Sequence, residues 1–143
     1  MKERFKLIAS VYLLFVKDGK ILLLRRANTG YEDGNYGLVA GHLDANESLT
    51  HAAIREAKEE SGVDLESRNL AVKTTMHRRQ DDERVDFFFE VRDWTGEPVN
   101  AEPEKCDDLS WFPLDQLPTN TIPYIKQAID YYKKGIFYSE FGW

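Results

Sequence analysis

Residues 41–63 read GHLDANESLTHAAIREAKEESGV. The segment 47–61 contains neither Gly nor Pro, is rich in Ala and Glu, and stops at Gly62. Glycine suits the left-handed position that ends a helix, so the spacing predicts a helix over 47–61. Leu49, Ala52, Ala53 and Ala57 would form a narrow face of small residues for close packing on a sheet. Glu56, Glu59 and Glu60 stand at i, i+3 and i+4, so their Cβ atoms lie about 5–6 Å apart on one face. Like charges there oppose the helix, and the negative end of its dipole opposes them again. Arg55 is i, i+4 to Glu59 but cannot neutralise all three. Two readings remain open at this point: a solvated acidic face, or a bound divalent cation. Carboxylate oxygens without His or Cys would select a hard ion, Mg²⁺ or Mn²⁺.

Upstream of this segment, residues 7–16 and 21–24 are apolar runs separated by Lys17-Asp18-Gly19-Lys20. Asp-Gly between two such runs predicts a β-hairpin, because both turn positions need positive φ. Ten apolar residues fall short of the roughly 20 that span a bilayer, and no small-x-small cleavage site follows them. The reading is a soluble, cytoplasmic protein. Residues 27–36 read as a surface loop and Leu38-Val39-Ala40 as a short strand. Downstream, strands are predicted over 70–77, 85–91 and 109–112. The Phe87-Phe88-Phe89 run, apolar on both faces, marks a central strand. An amphipathic helix over 122–134 would turn Ile125, Ala128, Ile129 and Tyr132 inward. Strands interleaved with helices predict a mixed α/β fold, one sheet between helices, in a single domain over 1–143.

Composition excludes several function classes. Of the 143 residues 42% are hydrophobic and 13% aromatic, enough for a packed core and too many for a disordered chain. The net charge of −6 repels a nucleic acid backbone, so a duplex-binding module is not expected. A lone cysteine, Cys106, excludes an internal disulfide framework and a cysteine zinc cluster. His42, His51 and His77 never fall four apart, which excludes a helical His-pair zinc site. A homodimer is compatible with the chain.

The segment 41–63 resembles the Nudix box, G-x5-E-x7-R-E-U-x-E-E-x-G-U with U aliphatic. Gly41, Glu47, Arg55, Glu56, Glu59, Glu60, Gly62 and Val63 occupy its fixed positions; Ala57 is a small residue at an aliphatic one. The resemblance implies an α/β/α sandwich that hydrolyses a nucleoside diphosphate linked to another group, with Mg²⁺ or Mn²⁺ as cofactor. It implies metal ligation by Glu56, Glu59 and Glu60 and by the carbonyl of Ala40. It implies that Arg55 orients the catalytic glutamates, that Glu47 supports the loop–helix geometry, and that Gly41 and Gly62 serve the backbone turns. Glu56 is the general base in MutT-type members; other members use a different glutamate or an acid from a later loop. Glu102, Glu104, Asp107 and Asp108 are the local alternatives, with a solvated acidic loop as the other reading.

Two outlying residues complete the candidate site. Arg26 falls where MutT-type enzymes place a nucleotide-contacting arginine, against the reading of an exposed strand end. Asn120 resembles an asparagine that reads a purine, against the reading of an N-cap for the second helix. Tyr31, Tyr36 and Phe89 are candidates for stacking on a base. Arg78 and Arg79 are candidates for phosphate contact, with a solvated turn as the alternative. The chain departs from MutT-type members where Leu38-Val39-Ala40-Gly41 replaces Phe-Pro-Gly-Gly. It departs from oxidised-purine hydrolases where Tyr124-Ile125 follows Pro123, and both departures weigh against oxidised-guanine specificity. Cys106 does not fit the pattern of the family's isomerases. The expected substrate is a small nucleotide, with (deoxy)nucleoside triphosphates ahead of ADP-ribose and nucleotide sugars. A non-catalytic Nudix-fold nucleotide sensor is the alternative from another class.

Overall fold

A computed structural model describes residues 2–143. Strands β1 (Ile8–Lys17) and β2 (Lys20–Arg26) form the expected hairpin, with Asp18 and Gly19 at φ 52° and 75°. Only Val16↔Ile21 and Lys17↔Lys20 pair across it. Beyond the turn the two strands part and take different neighbours within one eight-stranded sheet. β1 lies between β4 (Val39–His42), antiparallel to it, and β6 (Glu83–Val91), parallel to it. β6 continues to β5 (Leu70–Arg79) and then to β8 (Tyr138–Phe141). β2 instead pairs with β3 (Tyr36–Gly37) and β7 (Cys106–Pro113).

Helices α1 (Leu49–Ser61) and α2 (Pro123–Lys134) cover opposite faces, giving the α/β/α sandwich. The period-two alternation of β1 divides the core between them. Val11, Leu13 and Phe15 join Ala52, Ala53 and Ala57 of α1. Tyr12 and Leu14 join Ile125, Ala128 and Ile129 of α2. In β6, Phe88 faces the α2 side and Phe87 and Phe89 the α1 side, as a strand covered on both faces requires.

Bounds differ from the sequence reading at most elements, β7 for example beginning at Cys106 rather than Leu109. α1 starts two residues late, because Ser48 caps it by accepting from the His51 N–H, which leaves Glu47 outside the helix. α2 starts at Pro123 after Ile122, which has no capping side chain, so Asn120 is not its N-cap. Tyr36, read as loop, begins β3. β8 was not expected at all. Among the described residues no helix is long and apolar enough to cross a membrane.

Candidate functional site

The register of β4 on β1 decides which of its backbone groups face the acidic helix. Val11↔Gly41 and Leu13↔Val39 are partners, and Leu43 N–H bonds to Ala9 C=O. In an antiparallel ladder alternate residues turn both backbone groups away from the partner. Ala40 and His42 therefore direct theirs to the free outer edge of β4, toward α1. Ala40 N–H donates to Glu60 Oε1 at 2.8 Å, and His42 C=O accepts from Arg55 Nη2 at 3.0 Å. The Ala40 carbonyl opens on the same edge.

Arg55 gathers the other carboxylates. Its Nε and Nη2 donate to the two oxygens of Glu47 at 2.8 and 2.9 Å. Its Nη1 donates to Glu56 Oε1 at 2.7 Å and to Glu59 Oε2 at 3.4 Å. Glu47 also accepts from Asp44 N–H at 2.9 Å, which fixes the loop before the helix. The Arg55 fork holds the Glu47 carboxyl down at about 2. Burial pushes Glu56 up against the pull of Arg55. Burial pushes Glu60 up to about 8; the Ala40 N–H pulls it back, while the Glu56 and Glu102 charges push it further up. Gly41 leaves the space that Glu56 fills: a Cβ there would stand 2.0 Å from Glu56 Oε1. Gly62 ends α1 at φ 73°, its N–H on Lys58 C=O.

Glu56, Glu59 and Glu60 line one cleft of about 730 Å³, together with Ala40, Gly41 and Arg26. Among the described residues no three His, Cys, Asp or Glu side chains form a ready metal-ligand cluster. In this conformation Glu56 is turned onto Arg55 and Glu60 onto Ala40. The donor set nonetheless fits a hard divalent ion: it is all oxygen, and Glu60 is a half-buried carboxyl with no cationic side chain bonded to it. Glu56, Glu59, Glu60 and the Ala40 carbonyl are the groups that could hold it.

The remaining candidates separate. Arg26 lines the cleft, but its Nε is committed to Tyr31 C=O at 2.7 Å and its Nη2 to Thr29 Oγ1 at 3.1 Å. Asn120 is not among the cleft-lining residues; its Nδ2 donates to Gly34 C=O at 2.8 Å and ties two loops together. Of the later acids only Glu102 reaches the cleft. Asp107 pairs with Arg25, and Asp108 accepts from Tyr36 and Ser110. Tyr31 lines the cleft, whereas Tyr36 and Phe89 are core. Arg78 is not in a solvated turn: it is 3% exposed, bonded to the fully buried Asp86, and lies in the cleft floor. Sequence reasoning missed this floor, where Ser10, Tyr12, Arg78 and Tyr124 also line the cleft. The available signal was polar residues at core-facing strand positions.

A family model described as NUDIX domain matches residues 4–132. The chain is 27% identical over 118 residues to the NAD-capped RNA hydrolase NudC of Pectobacterium atrosepticum, covering 82% of this chain and 44% of that protein. It therefore spans less than half the length of that relative. It is 28% identical over 115 residues to the ADP-ribose pyrophosphatase of Methanocaldococcus jannaschii, covering 80% and 67%. The crystal structure of a MutT NUDIX hydrolase from Burkholderia pseudomallei superposes with a TM-score of 0.80 at 28% identity, covering 88% of this chain and 98% of the other.

Proposed function

The chain belongs to the Nudix hydrolase family, and from that premise we propose that it cleaves the phosphoanhydride of a nucleoside diphosphate linked to a further group, with Mg²⁺ or Mn²⁺ as cofactor. Nucleoside triphosphates are the first substrates to test. ADP-ribose is a second reading, favoured by the similarity to the Methanocaldococcus jannaschii enzyme. Residues 1–143 act as one such domain. The observation that carries the proposal is that Glu56, Glu59 and Glu60 open from one helix face into one cleft, beside the free edge of β4.

In this reading Glu56, Glu59, Glu60 and the Ala40 carbonyl hold the ion. A divalent cation bound there would neutralise pyrophosphate charge and acidify a coordinated water. Arg55 orients Glu56 and Glu59, Glu47 fixes Arg55, and Gly41 leaves Glu56 its place. The water oxygen forms the new bond to phosphorus, the bridging oxygen departs with its phosphate, and a carboxylate takes the water proton. Glu56 is the base we assign. Its burial and raised affinity for a proton support that role. Glu102 is the alternative acid within the cleft. Arg26, which also lines the cleft, contacts the substrate.

The experiment is release of phosphate, pyrophosphate or nucleoside monophosphate from a panel of triphosphates, ADP-ribose and dinucleotides with Mg²⁺. Turnover of at least one, abolished by chelator, is expected. Binding of nucleotides with no turnover across the panel would overturn the hydrolase in favour of a sensor.

A further inference from the structure

We propose that Tyr31 and Gln80 form a latch across the cleft, one that opens to admit and release a nucleotide; this rests on the nucleotide reading above. Tyr31 lies in the loop that leaves β2, and Gln80 in the turn that enters β6. In the sheet β1 stands between β2 and β6, and it supplies Ser10 and Tyr12 to the cleft. Tyr31 and Gln80 line the same cleft, having come from the two sides of that strand. The Tyr31 hydroxyl donates to Gln80 Oε1 at 3.3 Å. Among the described residues this is the one hydrogen bond between loop 27–35 and turn 80–82.

Each half of the latch is braced on its own side. Asp33 accepts from the backbone N–H of Thr29 at 3.1 Å and of Gly30 at 2.9 Å, and Arg26 Nε donates to Tyr31 C=O at 2.7 Å. Gln80 N–H donates to Asp82 C=O at 3.1 Å. The same Oε1 that meets Tyr31 accepts from Nη1 of the buried Arg78 at 2.6 Å. Only the bond that joins the halves is weak. It is long, links two uncharged groups, and has water beside it, since Tyr31 is 40% exposed and Gln80 is exposed as well. Such a bond shifts an equilibrium between open and closed by only about twofold to tenfold.

Opening therefore needs no backbone hinge. Exposed side chains change rotamer far faster than a ligand arrives, and one rotation of Tyr31 breaks the bond while both loops stay braced. A latch that closes alike over an empty and a filled cleft scales entry and exit by the same open fraction. It leaves the affinity in place, because it distinguishes neither state.

2-Aminopurine riboside monophosphate is a fluorescent nucleotide with no anhydride to cleave, and stopped flow in Mg²⁺ gives both of its rates. Tyr31→Phe keeps the ring and removes the hydroxyl. It should speed association and dissociation together by about twofold to tenfold, with Kd within about twofold of the wild type. Gln80→Glu gives the bond a charged acceptor, strengthens it, and should slow both rates. Plain repulsion of the nucleotide by the new carboxylate would instead hasten dissociation. Unchanged rates in Tyr31→Phe, a change in only one of the two, or faster dissociation from Gln80→Glu would overturn the latch. Failure of this nucleotide to bind would overturn the latch together with the nucleotide reading. Triphosphate turnover with rates indifferent to Tyr31→Phe would overturn the latch alone; paired rate changes without turnover across the panel would uphold it and overturn the hydrolase.

Discussion

Arg55 and Glu47 meet through two N–H···O bonds of 2.8 and 2.9 Å, the guanidinium on the second turn of α1 and the carboxylate in the loop before it. The same guanidinium reaches Glu56 and the His42 carbonyl. One planar group therefore locks loop, helix and strand edge together. Lysine keeps the charge but has no such fork. Arg55→Lys should lower stability by about 1–3 kcal/mol in urea titration and reduce kcat as well, because Glu56 loses its tether. Unchanged values of both would show the fork to be idle.

Gly41→Ala tests the space reserved for Glu56. The added methyl would displace a carboxylate that stands 2.0 Å from its position. A misplacement of about 1 Å at a reacting centre costs roughly a hundredfold in rate. We expect a loss of that order in kcat, with a cooperative unfolding transition retained. Full activity would mean that Glu56 works from another position.

Metal binding should appear as stability. An ion that relieves carboxylate repulsion only in the folded chain stabilises it with the logarithm of its free concentration over Kd, and so raises Tm. Millimolar Mg²⁺ should raise Tm relative to chelator. Glu59→Gln should blunt that rise and reduce turnover by orders of magnitude while leaving the metal-free Tm in place. A Tm indifferent to Mg²⁺ would remove the site.

The pH dependence follows from Glu60. Its carboxyl holds a proton up to about 8 in the folded protein, against an ordinary value of 4.5. Between those values the unfolded chain has released the proton and the folded chain has not. Rising pH therefore drains stability across that window, in the absence of metal. The fall in Tm between about pH 5 and pH 8 should be smaller in Glu60→Gln than in the wild type. Parallel curves would show that Glu60 ionises normally.

Asn120→Ala should remove the tie to Gly34 and cost about 0.5–1.5 kcal/mol of stability. KM should change equally for purine and pyrimidine nucleotides, since the amide is spent on the backbone. A rise confined to purine nucleotides would return Asn120 to the base.

What could be read from the sequence follows the range of each interaction. Glu56, Glu59 and Glu60 are three and four residues apart, so helical spacing alone puts them on one face. The Asp18-Gly19 turn and the double-faced Phe87–Phe89 run are equally local. The Glu47–Arg55 fork is not a helix-face relationship, because Ser48 starts the helix after Glu47; only the family resemblance hinted at it. β8 escaped notice because four alternating residues carry little pattern and its partner, β5, is far along the chain. Arg78 read as a phosphate contact or part of a solvated turn, because Asp86 meets it only when β5 and β6 pair.

The parting of β1 from β2 after two residue pairs has a consequence for how the chain is made. β1 is synthesised first, yet the parallel neighbour that flanks it, β6, emerges only with residues 83–91. At about 5–20 residues per second, Leu13 and Phe15 wait several seconds on a ribosome before that side of their strand is filled. The acidic helix emerges during this wait, and β4 must dock on the same incomplete strand. A slow or interrupted passage through residues 64–91 would prolong the time for which one side of this apolar strand lacks its neighbour.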